Sequence, residues 1–455
     1  MNIDSRDKID FGKTDVSTLF IKLFIPTLLS LLFGGLLNLA DGIFVGRGVG
    51  SDALAAVNVA APIFMIGTAT ALLFGSGVSV VAAIHLSHNN IKAANINITQ
   101  ALTVSSFIMC IVAIIIILFP DTIVHLFGGK GRIVNYACDY IFAVAPVLVL
   151  TQILTIGMFI LRLDGSPKFA MTANIIASLV NIFLDWLFVF PLQLGIRGAA
   201  IASSISQFIG ALLIISHFVF VHKQLQLYRP KFSKKSILLT IRNVGYMAKI
   251  GLSSFIGEIA ITIMIIMGNY VFMPLLHEKG VAAFSVACYL FPLVFMFGNA
   301  ITQSSLPIIS YNYGLNNIKK IHRTIRLSIS IAIVLGLLMT FGGMATAKIV
   351  SGLFIAKNEL ARQICIEGLP YFSLSYVFFT LNVVLIGFFQ GMKRPRQATF
   401  FMLLRSCFVL IPMFLILPYV LGVKGLWLAV PSSELITFLT ICLYYIFISK
   451  KNNIK

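Results

Sequence analysis

The sequence predicts an all-α integral membrane protein with twelve transmembrane helices arranged as two pseudo-symmetric six-helix lobes. Three observations predict it. Hydrophobic residues make up 59% of the chain and charged residues only 11%; about a dozen apolar stretches reach the roughly 20 residues that cross a bilayer core; and a series of motifs recurs in the same order at nearly one offset. A mean hydropathy of +0.98 lies far outside the range of soluble domains. In lipid every backbone N–H and C=O needs a partner within the chain, and these runs do not alternate, so they are helices rather than barrel strands.

The expected spans are 17–43, 53–82, 99–119, 134–161, 169–190, 197–221, 240–273, 281–309, 325–347, 364–390, 398–420 and 424–448. Residues 1–16 are then a cytoplasmic N-terminal tail, 17–221 the first lobe, 222–239 a cytoplasmic inter-lobe linker, 240–449 the second lobe and 450–455 a cytoplasmic tail. The N-terminal tail is polar and mixed in charge, without a signal-peptide apolar region, so the first span itself is expected to direct insertion.

A net charge of +19 resembles that of a nucleic-acid binder until the charges are placed. Of the 34 Lys and Arg residues, 25 fall on the two ends and the even-numbered connections, counting Lys393, Arg394, Arg396 and Arg405 with the connection between spans 10 and 11. By the positive-inside rule both termini are cytoplasmic, and the basic balance orients the chain in a bilayer instead of binding nucleic acid. The six cysteines are scattered without CxxC spacing and read as small hydrophobes.

Span 1 belongs to the stretch IPTLLSLLFGGLLNLADGIFVGRGVG, residues Ile25 to Gly50. Pro26, Ser30, Gly34, Asn38 and Asp41 share one helical face, and that face ends in an ionisable group. A carboxylate at membrane depth is a functional-site hypothesis by default, and Pro26 offers a place for the helix to bend. The pair Asp41-Gly42 also has the composition of a helix-ending turn at the membrane surface.

Span 5 carries Asn174, Ser178, Asn181 and Asp185 as one polar stripe. Span 6 adds Ser203, Ser206 and Gln207, so the first lobe has the groups for a pocket containing two carboxylates. If Asp41 and Asp185 approach each other, one of them becomes a candidate proton acceptor. Helix–helix hydrogen bonding is the simpler role for Asn174 and Ser178. In span 7, Ser254, Glu258, Thr262 and Asn269 share a face, and Glu258 has no cationic neighbour there. Glu434 in span 12 follows Pro431-Ser432-Ser433 and is either a further candidate or part of a local helix irregularity. Spans 8 and 10 supply Tyr289, Asn299, Gln303, Tyr371, Tyr376 and Asn382. Together with Asn38, Ser203 and Gln207 these are the expected lining of a substrate cavity suited to bulky organic cations through charge, stacking and cation–π contact.

The chain also repeats itself. Pro191–Ala202 (PLQLGIRGAAIA) matches Pro418–Ala429 (PYVLGVKGLWLA) at an offset of 227, and Asn89-Asn90-Ile91-Lys92 recurs as Asn316-Asn317-Ile318-Lys319 at the same offset. Ala53–Pro62 aligns with Ala283–Pro292, and Pro167 with Pro395, at offsets of 230 and 228. Six helices per repeat return the chain to its starting side, so the halves share one topology about an axis along the membrane normal. Such a pair of lobes suits alternating access; a duplicated structural or channel-like bundle would repeat in the same way. The acids are not duplicated: Asp185 maps onto Pro412 or Met413, and Asp41 onto Gly268 or Asn269.

Catalytic motifs are missing. Gly46-Arg-Gly-Val-Gly50 lacks the spacing and the preceding strand of a dinucleotide loop, Gly12-Lys13-Thr14 lacks the first glycine of a Walker A loop, and there is neither HExxH nor GxSxG. The chain is therefore not expected to be an enzyme or to carry a cofactor, and any uphill work must draw on an ion gradient.

The helix-1 pattern from Pro26 to Asp41 followed by Gly42-Ile-Phe-Val-Gly46, the Asn181/Asp185 pair, Arg162-Leu-Asp-Gly165 with Pro167, and two six-helix lobes together resemble the multidrug and toxic compound extrusion (MATE) family over residues 15–450. The resemblance implies a cation-coupled antiporter, using H+ or Na+, that exports organic cations and amphipathic drugs by lobe rocking. It implies that Asp41, Asn181 and Asp185 form the cation-responsive site, with Na+ held there if sodium is the coupling ion, and that Pro26 is the bend. Glu258 matches the second-lobe acid of the sodium-using branch, but the helix-10 aspartate of that branch is absent, Glu367 and Asn382 standing in that region instead. The expected setting is a monomer in a bacterial-type inner membrane. A lipid-linked oligosaccharide flippase of the wider superfamily is the alternative, and it would need a strongly cationic cavity.

Overall fold

The computed structural model describes residues 9–127, 131, 133–221, 224–229, 233–355 and 360–452, without the side chains of residues 38, 39, 51, 52, 54, 55 and 448–452. Parts of both expected tails and of the linker, at 1–8, 222–223, 230–232 and 453–455, lie outside the described residues. Among those described the protein is almost entirely helical and has no strand.

Helix α1 (Val16–Gly48) starts where the Asp15 carboxylate accepts the Ser17 N–H at 3.0 Å, and it continues without interruption through Pro26. Then follow α2 (Ser51–Ser87), α3 (Ile91–Leu118), the short α4 (Pro120–Leu126), α5 (Ile133–Leu163), α6 (Pro167–Val189) and α7 (Gly195–Ser216). A π-helical turn, His217–Val221, extends α7. Asn90 caps α3 by accepting the Ala93 N–H at 3.1 Å, which starts that helix about two turns before its apolar run.

The second half opens with α8 (Lys234–Gly314), which is two helices joined at His277, where φ is 53°. It continues through α9 (Ile318–Phe354), α10 (Leu360–Ser373), α11 (Ser375–Gly391), α12 (Pro395–Leu403), α13 (Leu410–Leu421) and α14 (Val423–Asn452). A π-turn, Leu404–Phe408, joins α12 to α13, with the Val409 N–H reaching back to the Leu404 carbonyl at 2.8 Å. Eleven helical segments among the described residues are long and apolar enough to cross a membrane, and α8 is one of them.

The internal repeat is visible in the turns. Left-handed backbone occurs at Gly50 and His277, at Asn89 and Asn316, at Gly165 and Lys393, and at Gly195 and Gly422, each pair one repeat apart. Two of the four pairs set a bulky residue against a glycine, so the duplicated turn geometry outlasts the residue that most easily adopts it.

Contacts divide the chain into two compact units: residues 1–255 with 310–318, and residues 256–309 with 319–455. The first boundary falls inside α8 because its opening turns pack closely on α2. A Cβ at Gly77 would collide with the Met247 backbone carbonyl, and one at Gly251 with the Leu73 carbonyl, so this approach requires glycine. Within the first unit, Val45, Ala56, Tyr140, Val144 and Val189 belong to one buried apolar cluster. The second unit is built on aromatic rings: Phe272 stacks on Phe284 at 4.6 Å, and Trp427 meets Phe272 edge-on at 5.2 Å. On α3, Phe107, Ile111, Ile114, Ile115 and Leu118 lie exposed, an apolar flank suited to acyl chains rather than water.

Candidate functional site

In the first unit the polar stripe of α6 turns inward. Ser178, Asn181 and Asp185 are at most 2% exposed, although the helix is otherwise apolar. Above them Asn174 Nδ2 donates to the Ser30 carbonyl of α1 at 2.8 Å, which ties α6 to α1 beside the stripe. With its amide oriented so that each group meets a complementary partner, Asn181 donates to Asp185 Oδ2 at 3.0 Å and accepts the Ser203 N–H at 3.2 Å. Asn181, Asp185 and Ser203 are thus brought together by α6 and α7.

Asp41 and Asp185 each keep one carboxylate oxygen unclaimed. Asp41 Oδ1 and Asp185 Oδ1 are both buried without a hydrogen-bond partner. The two groups lie within electrostatic reach of each other, and both act on the buried Tyr140 of α5, a residue that the polar-stripe argument does not find. Gln207 Oε1 is likewise buried and unpartnered. The Asn38 side chain lies outside the described residues.

In the second unit, Glu258 is half-buried on α8 and has no hydrogen bond or ion pair among the described residues. Asn382 is fully buried and committed to Glu434, donating to its carboxylate at 2.7 Å and to its backbone carbonyl at 2.8 Å. Glu434 in turn pairs with Arg405, whose Nη2 lies 2.8 Å from Oε1. Arg405 also lies over the Phe379 ring at 4.5 Å. This corrects the placement of Arg405 on a connection: the π-turn carries it into the interior, 5% exposed. A cavity of about 20 Å³, bordered by Arg405, Glu434, Met264 and Phe291, has room for a single water.

The remaining expected cavity residues differ in burial. Tyr376 sits in the aromatic core, packed near Phe291 and Phe372. Tyr289 is 63% exposed and stacks on Phe354 at 5.7 Å. Gln303 is buried, and Asn299 and Tyr371 are half-buried.

A second polar cluster of the first unit ties down the segment after α7. Asp164 Oδ1 accepts the N–H groups of Gln224 and Leu225, both at 3.1 Å, and its Oδ2 lies 3.5 Å from His217 Nε2. Asn95 accepts the Gln226 N–H at 3.1 Å and Thr99 the Tyr228 N–H at 2.9 Å, so an extended segment finds side-chain acceptors in place of a strand partner.

A family model described as MatE matches residues 26–187 and again residues 254–416. The chain belongs to the MatE family. The two matches begin at Pro26 and Ser254, one repeat apart, so the MatE unit and the internal repeat coincide. Across 453 residues the chain is 23% identical to the FAD transporter of Shewanella oneidensis, covering 97% of this chain and 96% of that protein. It is 26% identical over 437 residues to the multidrug export protein MepA of Staphylococcus haemolyticus, covering 93% and 91%. Its fold is that of a multidrug resistance MATE family transporter solved in an outward-facing conformation, with a TM-score of 0.89 at 23% identity over 99% of this chain and all of that one. As a MatE protein the chain is a multi-pass membrane transporter, and MatE transporters are not enzymes.

Proposed function

We propose that this MatE transporter is an antiporter that exports organic cations and amphipathic drugs from a bacterial cytoplasm by alternating access of its two lobes. It is driven by H+ or Na+, works as a monomer in the inner membrane and keeps both termini cytoplasmic. The observation that carries the reading is the pair of buried, unclaimed oxygens on Asp41 and Asp185. Oxygens so placed are satisfied by a proton or by a cation, and two like charges in one apolar surround favour taking up positive charge. A sodium ion would use Asp41, Asp185 and the Asn181 amide as oxygen donors. Exchange follows if coupling ion and cationic drug compete for the same negative site, each displacing the other from opposite sides of the membrane.

The flippase alternative needs cations free to meet a pyrophosphate. The buried Arg405 is neutralised by Glu434, which weighs against it. The test is uptake of a fluorescent organic cation into vesicles containing the purified protein, under imposed proton or sodium gradients, with FAD and a lipid-linked oligosaccharide as competitors. Gradient-driven uptake of the dye that neither competitor slows supports the reading; failure of both the proton and the sodium gradient to drive uptake overturns it.

A further inference from the structure

The second unit contains a groove of about 610 Å³ between α9, α11 and α14 that none of the roles above uses. Its floor is apolar, with Phe388 and Phe389 buried beneath it and Phe438 beside them. His322 and Arg326 line it on one face of α9, four residues apart, and both are exposed. Tyr445 of α14 stands opposite at 50% exposure.

Neither side chain meets an acidic partner on the groove helices. The sequence has no Asp or Glu from Ile318 to Asn358, none from Gly368 to Ser433 and none after Glu434. Glu434 itself is already held by Arg405 and Asn382. Arg326 therefore presents five donors at the edge of an open apolar groove with no acceptor of opposite charge supplied by the groove helices. The volume lies within the range that encloses a whole small molecule, not merely the side of one acyl chain.

We infer that this groove is a binding site for one anionic phospholipid, the headgroup phosphate paired with Arg326 and His322 and acyl chains lying over Phe388, Phe389 and Phe438. A zwitterionic lipid of equal chain length fills the same apolar volume, but its own cation competes with Arg326 for the phosphate. Selection therefore rests on the net charge of the headgroup, and a guanidinium–phosphate bond sets its scale.

The experiment is native mass spectrometry of the full-length protein released from detergent. It compares retention of phosphatidylglycerol and phosphatidylcholine with identical chains in the wild type, in Arg326→Gln/His322→Gln and in Phe438→Trp. The wild type is expected to retain phosphatidylglycerol at least about tenfold better, as one charge-assisted bond allows. The double variant is expected to lose that preference while keeping weak binding of both lipids. Phe438→Trp, which fills the groove and leaves Arg326 and His322 in place, is expected to weaken both. Equal retention of the two lipids by the wild type, or a preference that survives the double substitution, overturns the inference. Competition by glycerol phosphate as strong as that by the intact lipid also overturns it, because the apolar floor would then contribute nothing.

Discussion

Arg405 holds Glu434 through Nη2 and Nε, at 2.8 and 3.0 Å from Oε1, while Asn382 takes Oε2 at 2.7 Å. A buried guanidinium and carboxylate satisfied in this way cancel each other's charge inside the second unit. In the first unit Asp41 and Asp185 have no such cation, and each keeps an unclaimed oxygen. The duplicated scaffold thus carries a locked pair in one unit and an open acidic site in the other.

The locked pair gives a stability prediction. Glu434→Ala strands the guanidinium and is expected to destabilise the protein by about 3–5 kcal/mol. Arg405→Met/Glu434→Leu, which removes both charges and keeps most of the volume, is expected to recover most of that loss. Denaturation of the purified protein in detergent reads both, and a double variant as unstable as the single one would contradict a charge-based account.

The open site is expected to behave in the opposite way. Asp185→Asn removes a buried charge without emptying the site, so unfolding should move little or shift toward greater stability, while ion-driven export falls by about tenfold or more. Thermal unfolding and vesicle uptake on the same preparation separate these effects. A large loss of stability would make Asp185 a structural residue.

Asp164 is expected to govern the segment after α7. Asp164→Ala leaves the Gln224 and Leu225 N–H groups without their acceptor, and hydrogen bonds to a charged group contribute about 1.5–3 kcal/mol. Amide exchange across residues 224–229 should speed up by about tenfold or more, with exchange in α2 and α5 unchanged.

The close approach of α2 and the start of α8 makes Gly77 intolerant of a side chain. Gly77→Val would drive two methyls toward the Met247 carbonyl and is expected to cost at least about 1–3 kcal/mol, read as a lowered midpoint in thermal unfolding. Gly245, with open space where its Cβ would stand, is the control for which Gly→Ala changes little.

The helices and their duplication were legible because each rests on local pattern: apolar length for the spans, and short turn motifs for the repeat. The stripe from Asn174 to Asp185 was legible for the same reason, since 3.6-residue periodicity places it on one face and the cost of burial says what such a face is for. The Arg405–Glu434 pair was not, because its partners lie on different helices and a π-turn sets the angle at which Arg405 enters. The signal was present all the same: an arginine ten residues into the connection-and-span sequence beginning at Pro395 breaks an apolar run just as Asp41 does. The direction of Tyr289 was not legible either, because a tyrosine on a transmembrane helix suits an exposed flank as well as a cavity.

The most direct measurement of the central claim is gradient-driven uptake of a fluorescent organic cation by vesicles containing the wild type, Asp41→Asn or Asp185→Asn, each confirmed folded by its unfolding midpoint. Uptake by the wild type under a proton or sodium gradient, lost in both variants, is the expected result. Wild-type rates in Asp41→Asn and Asp185→Asn would contradict the assignment of the coupling site to this acidic pair.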